Sequence, residues 1–297
     1  MLTELRELLM AGRYRPQAVR RVYIPKPGRP KEHRPLGIPR VRDRVMQTAA
    51  KLVPEPIFEA SFLPCSYGFR PKRAALHALE VIRKDVNAGA RWVVDADFAD
   101  FFGSLDPVLL LRLVARRVSD RRVLRLIRMW LNAGVMEDGV SVGSTTGVPQ
   151  GGSISPLLSN IYGHALDALW TKEASHVGKI VRYADDLVIL CWTESDAQQA
   201  YVWLQRTAQA LRLKVHPDKS RVLGLEEGAD GLTSACVYRS RNECLVFHRC
   251  ACGVEWTDHH TDIDPTDPVS SDEVIEVHTR LAKFEGSIAD LFQQHLA

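Results

Sequence analysis

Apolar positions along the chain recur with changing period, and each change marks an element. Residues 43–53, DRVMQTAAKLV, have the three-to-four spacing of an amphipathic helix. Asp43 stands as its N-cap, and Val45, Ala49, Leu52 and Val53 form its apolar side. Residues 73–89, RAALHALEVIRKDVNAG, predict a second helix closed by Gly89. RWVVDADF, 91–98, opens with the β-branched run of a buried strand. The long amphipathic stretch 106–134 predicts helix with a break near Ser119-Asp120. A Gly/Ser loop at 141–156 leads into helix over 157–170, and 194–213 predicts another helix with Glu194 and Asp196 at its positive end. Between them KIVRYADDLVIL, 179–190, reads as two short strands, and 214–225 returns to strand and turn. Upstream of residue 43, repeated prolines exclude a long helix and favour extended segments and tight turns.

That rhythm ends near residue 226. Residues 226–297 have weak periodicity and scattered acids, with one or two helices expected over 272–296. Charge divides at the same place. The tail holds 14 acidic and 5 basic residues, a balance of −9, whereas residues 1–225 hold 34 basic and 22 acidic, a balance of +12. A basic body suits a nucleic-acid partner, because cationic side chains displace counterions condensed on phosphates. Of 297 residues, 45% are hydrophobic and 25% charged, which is ordinary for a soluble protein. No apolar run reaches membrane-span length, and the N-terminus lacks a signal-peptide core, so a cytoplasmic protein is expected. The six cysteines suggest no disulfide framework. Cys250 and Cys252 near His248, His259 and His260 lack the paired spacing of a structural zinc site.

Within RYADDLVIL, Asp185 and Asp186 place two carboxylates inside an apolar run, which is costly without compensation. Asp97 follows the β-branched strand run that opens RWVVDADF, and pairing of the strands would bring all three acids to one sheet edge. Convergent carboxylates without a cationic neighbour call for a metal, and hard oxygen ligands suit Mg²⁺. Two such ions about 3.5–4 Å apart support nucleotidyl transfer. Neighbouring strand residues face opposite ways, so only a turn lets both members of the pair serve one site. Asp185 is expected to be the stronger ligand and Asp186 the supporting one.

Six blocks in order resemble bacterial group II intron reverse transcriptases. They are RVYIPKPGRPKEHRPLGIPRVRDRVMQ, CSYGFRPKRAALHAL, VVDADFADFFGSLD, GVPQGGSISPLLSNIY, RYADDLVIL and LRLKVHPDKSRV, together spanning about residues 20–225. The resemblance implies an α+β fold: the fingers and palm of a right-hand polymerase, the palm an antiparallel sheet backed by helices. It implies fingers over 1–91, palm with remaining fingers elements over 92–225, and an atypical, Cys-containing tail of low expected order over 226–297. It implies catalytic and metal-binding roles for Asp97, Asp185 and Asp186, with two Mg²⁺ ions for which Mn²⁺ can substitute. Phe102 matches the position under the incoming sugar that excludes a 2′-hydroxyl. Lys26 and Arg34 match fingers residues that grip the triphosphate. Gln150 and Gly151 match the loop contacting nucleotide and template, Arg70 a template or phosphate contact, and Lys219 a proton donor near the leaving pyrophosphate. The implied partners are an RNA template, a DNA or RNA primer, deoxynucleotides and intron RNA, with no membrane.

The chain departs from the family's pattern in three places. Gly103 stands where a second Asp is usual, which suggests a looser local structure. The upstream extension is mostly missing. After Leu225 no F-L-G-F-like block, helical thumb or maturase region is recognisable, so the thumb is expected to be absent or atypical. A frameshift or recombination would account for the changed tail. Two other readings compete with an active polymerase: a non-enzymatic splicing helper that binds intron RNA, and an inactive retroelement remnant.

Overall fold

The computed structural model describes residues 1–26, 29–137, 140–142, 147–148, 151–227, 233–240, 243–250 and 253–259. Helix α1 (Leu2–Met10) precedes a hairpin of β1 (Val19–Lys26) and β2 (Arg29–Ile38). Strand β1 also pairs in parallel with β4 (Val135–Glu137), which pairs with β5 (Val140–Val142), giving a four-stranded sheet ordered β2-β1-β4-β5. The Arg/Pro-rich opening is therefore a β-hairpin, in keeping with prolines that exclude a long helix and favour extended segments. Helices α2 (Val41–Lys51), α3 (Pro54–Glu59) and α4 (Ala75–Asn87) follow.

Strand β3 (Trp92–Ala96) is central to a second sheet, with β6 (Lys179–Tyr183), β7 (Asp186–Cys191) and β8 (Arg221–Gly224) in the order β6-β7-β3-β8. All three pairings are antiparallel. Both faces of this sheet are covered. Val94, Ala96, Leu187 and Ile189 join a core with α8 (Ser155–Glu173) and α9 (Glu194–Ala210), while Val93, Val188 and Leu190 pack with Ala78, Ile82 and Val86 of α4. Double coverage explains why WVV and LVIL read as continuous apolar runs instead of alternating.

The helical stretch after β3 breaks where its caps require. Short α5 (Phe101–Ser104) leads to α6 (Pro107–Ala115), whose N-cap Asp106 accepts from the Leu109 N–H at 2.7 Å. The next helix, α7 (Arg121–Leu131), begins at Asp120, which accepts from the Arg122 N–H at 2.8 Å. Thr193 caps α9 in the same manner.

Helix α2 corrects the sequence reading. Its N-cap is Arg40, three residues before the expected Asp43, and Asp43 lies inside its first turn as a buried acceptor of the Tyr14 hydroxyl at 2.7 Å. Its buried positions are Asp43, Met46 and Gln47, whereas Leu52 and Val53 are exposed. A polar cluster against Tyr14 and Trp130, whose indole donates to the Tyr14 hydroxyl at 2.9 Å, sets the inward face. A reading that places only apolar residues inward misses such a face.

Beyond β8 the chain continues into a third, antiparallel sheet: β9 (Glu226–Glu227), β10 (Thr233–Ser240), β11 (Glu243–Cys250) and β12 (Gly253–His259). Its register runs Ser240↔Glu243 and Cys250↔Gly253. Residues 233–240, 243–250 and 253–259 of the tail form an antiparallel ladder, which interspersed acids and cysteines hide from a period-2 pattern. The helices expected over 272–296 lie outside the described residues.

Candidate active site

The turn of RYADDLVIL is built by the β6–β7 register, in which Tyr183 faces Asp186. Only Ala184 and Asp185 connect the strands, and Ala184 has φ 57°, in the left-handed region. That conformation costs a non-glycine residue about 1–2 kcal/mol, so its surroundings must hold it. Asp186 is the first residue of β7, and Asp97 lies just past the end of β3, the strand paired with β7.

Asp97 is anchored through its backbone. Its N–H donates to Ser220 Oγ at 3.1 Å, and its carbonyl accepts from the His216 N–H at 2.8 Å. The Ala99 N–H donates to the Lys214 carbonyl at 2.8 Å. These bonds zip 214–220 along 97–99 and swing Lys219 back over the acid, so that Lys219 Nζ lies 2.9 Å from Asp97 Oδ2. Asp97 and Asp186 share the wall of a small cavity with Asp95, Asp218, Lys219 and Arg221. Arg221 Nε is 4.0 Å from Asp95 Oδ2.

Two features differ from the sequence reading. The acids were expected to lack a cationic neighbour, yet Lys219 and Arg221 stand among them. Asp185 lies in the turn and is not part of the cavity wall with Asp97 and Asp186. Among the described residues, no three metal-ligating side chains are gathered into one cluster. The donor set nevertheless fits a hard cation: carboxylates from two paired strands face one cavity, and an ammonium group already lies against one of them.

The remaining candidates have different settings. Phe101 is buried in the core, and Phe102 is half-buried beside it, edge to face at 5.9 Å. Phe102 is thus the member of the pair with an accessible surface. Arg34 is half-buried on β2 opposite Ile24. Lys26 ends β1, with its side chain outside the described residues, as is all of Gln150. Gly151 has φ +107°, and a Cβ there would lie 2.8 Å from the Gly37 carbonyl, so glycine is required for this loop to touch the β1–β2 sheet.

Arg70 is turned into the protein. Its side chain is only 4% exposed, and its guanidinium donates to Glu59 and to the Leu63 and Ser66 carbonyls, the latter two at 2.8 Å. It braces the loop before α4, with its donors turned to Glu59 and the two carbonyls.

Sequence reasoning passed over the strongest buried polar group near the turn. Arg182, directly before Tyr183, is 1% exposed and paired with fully buried Asp167 of α8. Burial works against its charge, but the Asp167 carboxylate outweighs that and raises its pKa. An Arg inside an apolar strand, with an Asp inside an apolar helix, was the available signal.

The family model for reverse transcriptase (RNA-dependent DNA polymerase) matches residues 24–241. This chain belongs to the reverse transcriptase family. The match begins within β1, takes in the rest of the first two sheets and runs through β10 of the third. Among curated relatives, protein YkfC of Escherichia coli K12 is 43% identical over 161 residues, covering 53% of this chain and 42% of the relative. The group II intron-encoded protein LtrA of Lactococcus lactis is 42% identical over 159 residues, covering 54% of this chain and 26% of the relative. The chain thus matches less than half the length of either. In fold, this reverse transcriptase-family chain resembles an apo telomerase from Candida tropicalis truncated from its C-terminal domain. That match has a TM-score of 0.59 at 12% identity, over 81% of this chain and 55% of the telomerase. Among the described residues, no helix is long and apolar enough to cross a membrane.

Proposed function

We propose that this chain is an RNA-directed DNA polymerase of a group II intron-like retroelement, extending a primer 3′-hydroxyl with deoxynucleotides on an RNA template. The observation that carries this reading is the meeting of Asp97, Asp186 and Lys219 in one cavity, in a chain of this family. Asp97, Asp185 and Asp186 would hold the metal ions. When bound, Mg²⁺, or Mn²⁺ in its place, supplies charge neutralisation at the phosphoryl group and acidifies the primer hydroxyl.

The chain's own residues supply the rest. The carboxylates fix where the primer terminus sits. Lys219 would donate a proton to the departing pyrophosphate, and its 2.9 Å ion pair with Asp97, which keeps the ammonium beside the carboxylates, supports that role. Phe102 offers an aromatic wall to the sugar and disfavours a 2′-hydroxyl sterically. Arg34 and Lys26 would grip the triphosphate, Gln150 and Gly151 would contact nucleotide and template, and the missing Cβ of Gly151 lets that position approach the β1–β2 sheet. Partners on this reading are an RNA template, a DNA or RNA primer, deoxynucleotides and intron RNA.

Primer extension on a short RNA template tests the reading directly. The wild-type chain should incorporate deoxynucleotides over ribonucleotides, and Asp185→Ala should abolish extension. Full activity in purified Asp185→Ala protein sinks the assignment.

A further inference from the structure

We propose that Arg182 and Asp167 are positioning residues for the acidic turn, holding Ala184 in its left-handed conformation so that Asp185 and Asp186 are presented for metal binding. This rests on the polymerase reading and extends it to residues that do not line the cavity.

Every N–H of the Arg182 guanidinium is engaged. Nε and Nη2 form a fork on Asp167 at 2.8 and 2.6 Å. Nη2 also donates to Ser66 Oγ at 2.8 Å. Nη1 donates to the Asn160 side-chain oxygen at 3.3 Å and to the Ala184 carbonyl at 2.9 Å. That last carbonyl belongs to the peptide joining Ala184 to Asp185. One rigid group therefore ties the turn to α8 and to the 65–68 loop.

Helix α8 is shaped to receive it. Asn160, Gly163 and Asp167 recur at the spacing of one helix face. A Cβ on Gly163 would lie 2.7 Å from Arg182 Cζ, so the glycine makes the space that the guanidinium fills. From the other side, the 65–68 loop runs beside Arg182 as a parallel bridge, with Arg182 N–H to the Cys65 carbonyl and Tyr67 N–H to the Arg182 carbonyl, both 2.8 Å. It ends with Gly68 against the turn, where a Cβ would be 2.3 Å from Ala184 N. The Asn160 amide donates to the Gly68 carbonyl at 2.8 Å, closing the ring of contacts.

Stability alone does not require this arrangement. Replacing a buried ion pair by apolar side chains of similar volume is often neutral or favourable. What an apolar pair cannot do is grip a carbonyl on one side of a strained residue while the backbone of Gly68 blocks the other. Groups that orient metal ligands act in this manner, and losing one typically costs about 10–100-fold in metal affinity.

The test compares wild type, Arg182→Lys, Gly68→Ala and Arg182→Lys/Ala184→Gly in the full chain. Amide hydrogen exchange is followed without metal, and Mn²⁺ affinity is followed by electron paramagnetic resonance. Lysine reaches only part of the network, so Arg182→Lys should speed exchange at 184–187 about tenfold while leaving the middle of α8 unchanged. Its Mn²⁺ affinity should fall about tenfold. Gly68→Ala, which leaves the ion pair intact but displaces Ala184, should act in the same direction. Glycine at 184 removes the left-handed penalty, and the double variant should recover Mn²⁺ affinity. Wild-type exchange and affinity in both folded single variants overturn the proposal, as does a loss spread evenly over α8 and the turn. If Arg182→Lys fails to fold, Gly68→Ala decides the matter alone. A wild-type chain that neither binds Mn²⁺ nor extends a primer fails the polymerase reading instead, while local exchange at the turn still tests the clamp.

Discussion

The carboxylate of Asp100 occupies the space that a side chain at Gly103 would need. A Cβ built on Gly103 would lie 2.0 Å from Asp100 Oδ2. Asp100 itself has φ 45°, a left-handed conformation, at the N-cap of α5. The carboxylate that the family pattern leads one to expect at 103 is therefore met in space by one contributed from 100. The looser local structure expected from Gly103 does not follow, because Gly147 packs on it as well: a Cβ on Gly147 would be 2.7 Å from the Gly103 carbonyl.

This relationship predicts a specific coupling. Gly103→Asp alone should destabilise the chain by about 1–3 kcal/mol through overpacking and like-charge contact. Asp100→Gly relieves both the clash and the left-handed backbone, so the double variant should recover most of that loss. Urea unfolding of the four proteins in a double-mutant cycle measures it, with an expected coupling of about 1–3 kcal/mol. Additive single effects would mean that the two positions do not share the space.

His164 makes stability depend on pH. It lies on α8, with its ring against Phe62 at 5.6 Å and with Asp167, Arg182, Arg117 and Arg70 in its electrostatic surroundings. Its Nδ1 is buried without a hydrogen-bond partner. Burial lowers its pKa below the ordinary 6.5. The unfolded chain therefore binds this proton more readily, and the associated stability is present above pH 6.5 and is lost as pH falls through the folded-state value. In urea unfolding at pH 7 and pH 5, wild type should lose more stability than His164→Leu. Equal losses would show that His164 does not contribute.

Arg70 illustrates how a motif misleads when burial is unknown. In GFRP it resembles an exposed phosphate contact, but its guanidinium is committed to Glu59 and two carbonyls. Arg70→Lys keeps the charge and loses the fork, so it should cost about 1–3 kcal/mol of stability. The folded variant should bind an RNA template as wild type does, by fluorescence anisotropy. A selective loss of RNA binding at unchanged stability would restore the contact role.

The sheet carrying the acids was legible because local pattern dictated it. WVV and LVIL are apolar on both faces, and helices α4 and α9, which cover them, have clear ends, such as Gly89 at φ +104° after α4 and the Thr193 cap of α9. What was hidden depends on partners distant in sequence. Asp43 looks like a cap until Tyr14, 29 residues away, turns it inward. Arg182 looks like one more cation until Asp167 and Ser66 enclose it. Lys219 reads as a turn residue until the pairing of 214–216 with 97–99 carries it 122 positions back to Asp97. Side-chain networks of this kind leave no period in a sequence.

Lys219 provides the sharpest test of chemistry over structure. It is 54% exposed, so its ion pair with Asp97 contributes little to folding, about 0–1 kcal/mol for a surface pair. A proton donor to the leaving group, by contrast, is worth about 10²–10⁴ in rate. Lys219→Ala should thus leave thermal unfolding nearly unchanged while lowering kcat for primer extension by that factor, with the KM for deoxynucleotide altered far less. Arginine retains the charge but holds its protons too tightly to donate, so Lys219→Arg should restore the electrostatic contact without restoring kcat. Single-turnover extension with each variant separates the outcomes. If Lys219→Arg regains wild-type kcat, the residue acts as a fixed charge beside Asp97; if neither variant changes kcat, it has no part in the reaction.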